Sequence, residues 1–436
     1  MIRRILLDNS SYSLRNMGDV AMLQVAAARL AKRFPNAIIH CLTADPQRLA
    51  RLVPQARPVS CEGVRQWALT PILEGCPLPV MVHDRLYHRL ETARRRGSSF
   101  IQTILGLLLG TRGEDDAPMR AYLSAVRDAD LVVGTGGGYL TDPFEHQARM
   151  VLGTLAMAQS MNKLTAMVGQ GVGPLRNSTL REYGAAVMNR LDLLTLRESA
   201  SSQPLLDEMG VKSPYFDTTG DDAIEAVHRV RNDRMSNGIG VNLRVAGYAG
   251  ALADQLHVFK TVLAERSTQL HAPLIPLPIA LQAEDSDVSS IAQLMDADNW
   301  PTPDTPQEVM ERVGQCRVVM TGSYHAAIFA LSQGVPVVGI VASEYYTAKM
   351  RGIAGQFPGG CLIVPADQPD LAGRLHRAIE SQWNAAPNLR QPLLESAGRQ
   401  IELGRRAYDH LATLQPNHPA PAHRRGVWAK LFAERE

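Results

Sequence analysis

Four times along this chain a short apolar run stops at a polar, glycine-bearing turn, and a helix-like segment follows. The turns are Asn16-Met17-Gly18-Asp19, Thr135-Gly136-Gly137-Gly138, Gly169-Gln170-Gly171-Val172-Gly173-Pro174 and Gly322-Ser323-Tyr324-His325. Continuous Val/Ile/Leu runs fit strands buried on both faces, which calls for a parallel sheet covered by helices. The pattern predicts an α/β fold of doubly wound, Rossmann-like sheets, with ligands beyond the carboxyl ends of the strands. At 436 residues the chain is too long for one ordinary core, so two such domains are expected, facing a cleft.

The first domain is expected over 1–213, with strands near 5–7, 37–42, 130–133, 165–168 and 193–196. The second is expected over 214–390, opening at Tyr215-Phe216-Asp217 and Gly220-Asp221-Asp222. Its strands fall near 238–243, 273–278, 317–321, 336–340 and 361–364. Helices are expected over 371–382 and 392–414, the last part (391–414) packing back on the first domain. The Pro- and His-rich stretch beyond 414 reads as a linker, and 426–436 as a short tail with Trp428 and Phe432 on one edge.

The segment 75–114 breaks this regularity. Arg89, Arg94, Arg95 and Arg96 precede an apolar run from Phe100 to Gly110. That run is far shorter than the roughly 18 apolar residues needed to span a bilayer. A core-packed helix with a solvated basic flank is the first reading. A peripheral membrane or lipid-acceptor contact is the second.

Lys plus Arg number 45 and Asp plus Glu 43, and aromatics make up 5%. Neither a basic footprint nor a stacking platform for nucleic acid is present. The cysteines, Cys41, Cys61, Cys76, Cys316 and Cys361, are odd in number and contain no CxxC. This argues against a disulfide framework or zinc knuckle and fits a reducing cytosol. The amino-terminal apolar run is too short for a signal peptide and reads as a first strand.

The turns differ in what they can do. At 16–19, Asp19 can cap the helix or orient a substrate hydroxyl, and Gly18 admits close approach to the helix end. Gly136, Gly137 and Gly138 allow positive φ and backbone contact with an anion or sugar, but lack the P-loop Lys-Ser/Thr ending. Gln170 is expected to point into the cleft. At 322–325, Ser323 and free backbone N–H groups can hold a phosphate or carboxylate, and His325 sits where the helix dipole favours a neutral imidazole able to act as acid or base. Arg197, at a strand end, is the best anion clamp, with a surface ion pair to Glu198 as the bland alternative. Lys349 is a second anion candidate.

Taken in order, these turns resemble the polysaccharide pyruvyl transferase family. The resemblance runs from about residue 5 to 355 and includes Arg197-Glu198-Ser199-Ala200-Ser201, Gly220-Asp221-Asp222-Ala223, the stretch from His325 to Pro336, and Lys349. It implies a two-domain fold similar to the B-type glycosyltransferases. It also implies transfer of the enolpyruvyl carbons of phosphoenolpyruvate onto a sugar diol, with no metal or cofactor. In that scheme His325, Arg197 and Asp19 are catalytic. Gly322, Ser323, Tyr324, Lys349 and Glu344 bind the donor. Asn16, Gly18, Gly136, Gly137, Gly138 and Gln170 line the acceptor side. The acceptor is a sugar or glycan, lipid-linked if the protein works at the inner face of the membrane. A nucleotide-sugar glycosyltransferase, with Glu344 on a ribose, and a non-catalytic assembly protein are the alternatives. The chain departs from the family at Ser323, where members carry arginine. Losing that guanidinium should weaken donor binding by about 1.5–3 kcal/mol, with Arg317, Lys349 and Arg351 as candidates to compensate.

Overall fold

A computed structural model describes residues 2–414 except 10, 73–79, 214, 244–254, 283–285 and 296–299. The expected linker and tail, with Trp428 and Phe432, lie outside the described residues, as does Cys76.

Two parallel sheets organise the chain. The first contains β1 (Arg4–Asp8), β2 (Ile38–Thr43), β3 (Ala56–Ser60), β4 (Leu131–Gly134), β5 (Gly137–Leu140), β6 (Leu164–Val172), β7 (Leu193–Leu196) and β8 (Phe216–Thr218). Their order is β3-β2-β1-β4-β6-β7-β8, with β5 paired to β6. The second contains β9 (Gly238–Asn242), β10 (Leu274–Pro276), β11 (Cys316–Thr321), β12 (Val337–Val341) and β13 (Cys361–Pro365), in the order β10-β9-β11-β12-β13. Every residue of β4, β6, β7, β9 and β12 is buried, as expected for strands covered on both faces.

Several expectations change. The strand at 216–218 does not open the second unit. It pairs parallel with β7 (Leu194 opposite Phe216) and extends the first sheet. Gly137 and Gly138 lie within a strand rather than a loop, and none of Gly136, Gly137 and Gly138 has positive φ. The two helices expected near the carboxyl end are one helix of 41 residues, Leu371–Leu411, with Pro387 and Pro392 inside it. A proline leaves the carbonyl four residues back without its helical donor. For Pro387 that carbonyl is Trp383, and Arg317 Nε supplies the donor at 3.0 Å while its guanidinium covers the Trp383 ring.

This long helix begins against the second sheet and ends on the first. Leu375, Ile379 and Trp383 belong to the core around β11–β13. Ala407, Tyr408 and Leu411 complete the core under β1, β2 and β4. A buried polar cluster fixes the far end. Arg29 pairs with Asp222 at 2.6 Å and Glu225 at 2.7 Å, and the Tyr408 hydroxyl donates to Asp222 at 2.6 Å.

In the 75–114 region, helices span Val80–Arg95 and Ser99–Thr111. Ile101, Leu105 and Leu109, one face at helical spacing, are fully buried in the first sheet's outer core. The core-packed reading covers that face only, since Phe100 is 64% and Leu107 68% exposed. Among the described residues no helix is long and apolar enough to cross a membrane.

Candidate active site

The carboxyl ends of β1, β6, β7 and β8 face those of β11 and β12, and the site is built where they meet.

On the second sheet, a buried polar network sets the turn after β11. Thr321 Oγ1 donates to Asn242 Oδ1 at 2.9 Å and accepts the Ser323 N–H at 2.8 Å. Asn242 Nδ2 donates to Asp287 Oδ2, which also accepts the N–H groups of Ile279 and Ala280. The helix Tyr324–Leu331 then starts with Tyr324 and His325 both buried. Ser323 takes the N-cap position but its hydroxyl makes no capping bond.

On the first sheet, Asn16 rather than Asp19 caps the helix Met17–Arg33, accepting from the N–H groups of Gly18 and Asp19 at 3.0 and 3.2 Å. Asp19 lies half-buried in the first turn. The turn is stitched to the other half of the molecule. The Met17 N–H donates to the Ile279 carbonyl at 2.8 Å, and the Leu281 N–H to the Arg15 carbonyl at 2.9 Å.

His325 from one sheet rests on Gly18 from the other, so closely that a β-carbon on Gly18 would run into its ring. The opposite side of the imidazole faces the first sheet again, with Nε2 3.7 Å from Asp221 Oδ2. Asp221 follows β8 through Gly220, whose φ of +84° suits glycine. It was legible only as part of a Gly-Asp-Asp turn, since its place beside His325 depends on β8 joining the first sheet.

Arg197, at the end of β7, is 3% exposed and lies flat on Tyr324, its guanidinium carbon 3.8 Å from the ring centre. Burial opposes its charge, but Tyr324 and Asp221 more than offset that and raise its pKa. Glu198 is not its surface partner. That carboxylate accepts from Ser201 and Ser202 and holds the start of the helix Ser202–Glu208. Lys349, on the helix Glu344–Gln356, contacts the Tyr345 hydroxyl and points at the same place. Arg197, Lys349, Tyr324, Glu198, Ser201 and the Gly171–Gly173 backbone line one small cavity. Glycines make room for the cations: a β-carbon at Gly171 would lie 2.5 Å from Arg197 Nε, and one at Gly138 would lie 2.6 Å from Arg197 Nη2.

Four buried polar atoms here make no hydrogen bond: Arg197 Nε, Asp221 Oδ2, Tyr324 Oη and His325 Nε2. Burial, with Asp221 and Glu198 nearby, drives the Tyr324 hydroxyl well above its usual pKa despite Arg197, so it stays a neutral donor.

The structure thus makes two clusters that share Tyr324: Arg197, Lys349 and Gly138 on one side of it, His325 and Gly18 on the other. Other expected site residues stand apart. Gln170 is fully buried, and its amide donates to the Thr135 carbonyl at 2.7 Å, holding the β4–β5 connection instead of facing the cleft. Gly136 packs against Met22 and the Gly169 carbonyl. Gly137 is paired to Gln170 within the sheet. Glu344 is exposed and ion-paired with Arg176. Of the candidate compensating cations, Arg317 is committed to Trp383 and Arg351 is exposed, leaving Lys349. Among the described residues no three His, Cys, Asp or Glu side chains gather to hold a metal.

Two parallel sheets meeting at their carboxyl ends, with charged and titratable groups from both at the seam, define a two-lobed α/β protein of the B-type glycosyltransferase fold. Solved structures agree on the fold. An S. aureus MnaA–UDP complex aligns with a TM-score of 0.56 at 12% identity, over 96% of this chain and 99% of that one. A UDP-GlcNAc 2-epimerase from Neisseria meningitidis bound to UDP-GlcNAc aligns with a TM-score of 0.54 at 10% identity, over 95% and 100%. No curated protein matches the sequence. The model of the polysaccharide pyruvyl transferase family matches residues 16–344. This chain belongs to that family.

Proposed function

We propose that the protein transfers the enolpyruvyl carbons of phosphoenolpyruvate to two hydroxyls of a sugar or glycan, forming a pyruvyl ketal and releasing inorganic phosphate. The observation that carries this reading is the pairing, in a chain of this family, of two cations on one small cavity, with an imidazole on the far side of the Tyr324 ring that lines it. Arg197 comes from the first sheet and Lys349 and His325 from the second. Phosphoenolpyruvate carries a carboxylate and a phosphate, so a paired cation site suits it, and a buried guanidinium on an aromatic face is pre-organised for such anions. Ser323 occupies the position where relatives carry arginine. Arg197, packed on the neighbouring Tyr324, and Lys349 supply positive charge at the cavity that Tyr324 lines. His325 is the acid–base group: it takes the first hydroxyl's proton as that oxygen bonds to the central carbon, and the methylene carbon gains a proton to become methyl. The second hydroxyl oxygen then bonds to the same carbon as the carbon–phosphate oxygen bond breaks, and its proton leaves with the phosphate as hydrogenphosphate. Gly18 and the helix end at Asn16 flank the acceptor.

The test is a thermal-shift and phosphate-release screen. Phosphoenolpyruvate should stabilise the protein and release phosphate only with a glycan acceptor. Stabilisation by UDP- or GDP-sugars, with none from phosphoenolpyruvate, would replace this reading with nucleotide-sugar glycosyl transfer. Stabilisation by no ligand would favour an assembly role.

A further inference from the structure

The two oxygens of Asp221 have different surroundings. Oδ1 accepts the Ala223 N–H at 2.9 Å and so anchors the start of the helix Ala223–Arg229. Capping of this kind needs one acceptor oxygen and no charge. Oδ2 is buried and faces two groups, the Tyr324 hydroxyl beside the carboxylate and, across the seam, His325 Nε2, also buried and without a hydrogen bond. The 3.7 Å between them is longer than a hydrogen bond, and a small rotation of either side chain closes it. The imidazole has little freedom elsewhere. Gly18 backs one face, and the Tyr324 ring stands edge-on at 5.2 Å between centres. Nδ1 is among the ring atoms over Gly18, at the helix end where Asn16 and Asp19 lie.

We infer that Asp221 is the positioning residue of His325, its Oδ2 holding the Nε2 proton so that Nδ1 is the basic atom offered to the acceptor. The arrangement follows the logic by which a carboxylate fixes a histidine tautomer and offsets the imidazolium formed during reaction. It rests on the acid–base role proposed for His325. In the first step the hydroxyl proton moves to Nδ1 as the hydroxyl oxygen bonds to the enolpyruvyl carbon. Asp221 remains ionised throughout, and the proton on Nδ1 is then available to the methylene carbon.

Asp221→Asn separates the two functions. The asparagine oxygen can still accept the Ala223 N–H, while its amide presents a donor where Oδ2 was. Full-length protein labelled with ¹⁵N-histidine is examined by two-bond nitrogen–proton correlation, and the His325 signal is the one lost in His325→Gln. The expected parent pattern is the Nε2–H tautomer, switching to Nδ1–H in Asp221→Asn with an unchanged melting temperature. Tyr324→Phe, which removes the other polar group beside Asp221, should leave the tautomer as it is. Turnover of phosphoenolpyruvate should fall about 10²-fold or more in Asp221→Asn, with KM for phosphoenolpyruvate within about threefold. An Nδ1–H pattern in the parent, or a tautomer indifferent to Asp221→Asn, overturns the assignment. If neither protein turns over phosphoenolpyruvate, the proposed function fails on its own and the tautomer still decides the role of Asp221.

Discussion

Gly18→Ala is the smallest change that should disable the site. An ideal β-carbon there would sit 1.9 Å from His325 Cγ. Carbon atoms settle at about 3.5 Å, so the imidazole must retreat by roughly 1.6 Å, or the helix end must move by a comparable amount. A displacement of about 1 Å at a reacting group costs on the order of 10²-fold in rate, equivalent to about 2.7 kcal/mol of transition-state stabilisation. Stability should respond far less. Alanine gains about 0.5–1 kcal/mol over glycine in a helix, against about 1–3 kcal/mol for overpacking. The net change is then between about 0 and 2.5 kcal/mol, and the melting temperature falls by several degrees at most. Phosphate release from phosphoenolpyruvate in the presence of the acceptor measures the rate, and calorimetry measures the stability. In a His325→Ala background the added alanine should change the rate by less than about twofold, because the ring it strikes is gone. Turnover of Gly18→Ala within about threefold of the parent would refute the placement of His325 on this helix end.

Other perturbations follow from the same geometry. Arg197→Ala and Lys349→Ala should each raise KM for phosphoenolpyruvate at least tenfold, consistent with losing a charged hydrogen bond of about 1.5–3 kcal/mol; initial-rate kinetics measure it. Arg29→Ala leaves Asp222 and Glu225 buried without their main cation and should destabilise the fold by about 3–5 kcal/mol, seen as a lower denaturant midpoint. Burial pushes the Asp8 carboxyl up to about 6, against opposing hydrogen bonds from Thr154 and Tyr12. Between about pH 4 and 6 the folded state therefore holds a proton that the unfolded chain has lost, so this residue's contribution falls as pH rises through that window. Asp8→Asn should then be more stable than the parent at pH 7 by up to about 3 kcal/mol, with the gain shrinking toward pH 4. Gly398→Ala, in an open stretch of the long helix with nothing within 4 Å, should add about 1 kcal/mol and leave turnover unchanged.

Much of this architecture is written in local pattern. The buried strand 337–341 reads correctly from its continuous apolar run, whereas 164–172 is legible only as far as Val168, because Gly169 and Gly171 look like a turn but continue the strand. Strands that lack that signal were illegible. Ala56–Ser60 carries Arg57 and Pro58 and survives at a sheet edge, where an imino group costs little. Phe216–Thr218 has three half-buried residues, and nothing in them tells which sheet they join. The continuity of the long helix was hidden by prolines whose cost is met from elsewhere, by Arg317 in one case. The site shows the same division. His325 and Arg197 stand out because each follows a buried strand directly. Gln170 stood out for the same reason and is structural, because its amide is claimed by carbonyls at the end of the adjacent strand β4. Asp221 looked like an ordinary turn residue, and its place opposite His325 comes from tertiary pairing alone.

The long terminal helix has a consequence for how members of this fold can be recombined. The boundary between the lobes is crossed by the chain twice, once after β8 and once within that helix, so the second lobe is in effect an insertion into the first. A chimaera cut only near residue 219 would pair one parent's amino-terminal lobe with the other's Tyr408 and Leu411, which fill its core, and with the other's Asp222, which pairs with Arg29. The second core takes the helix as far as Ile401 and the first core takes it from Ala407, so a graft keeps both when its second junction falls between those two residues.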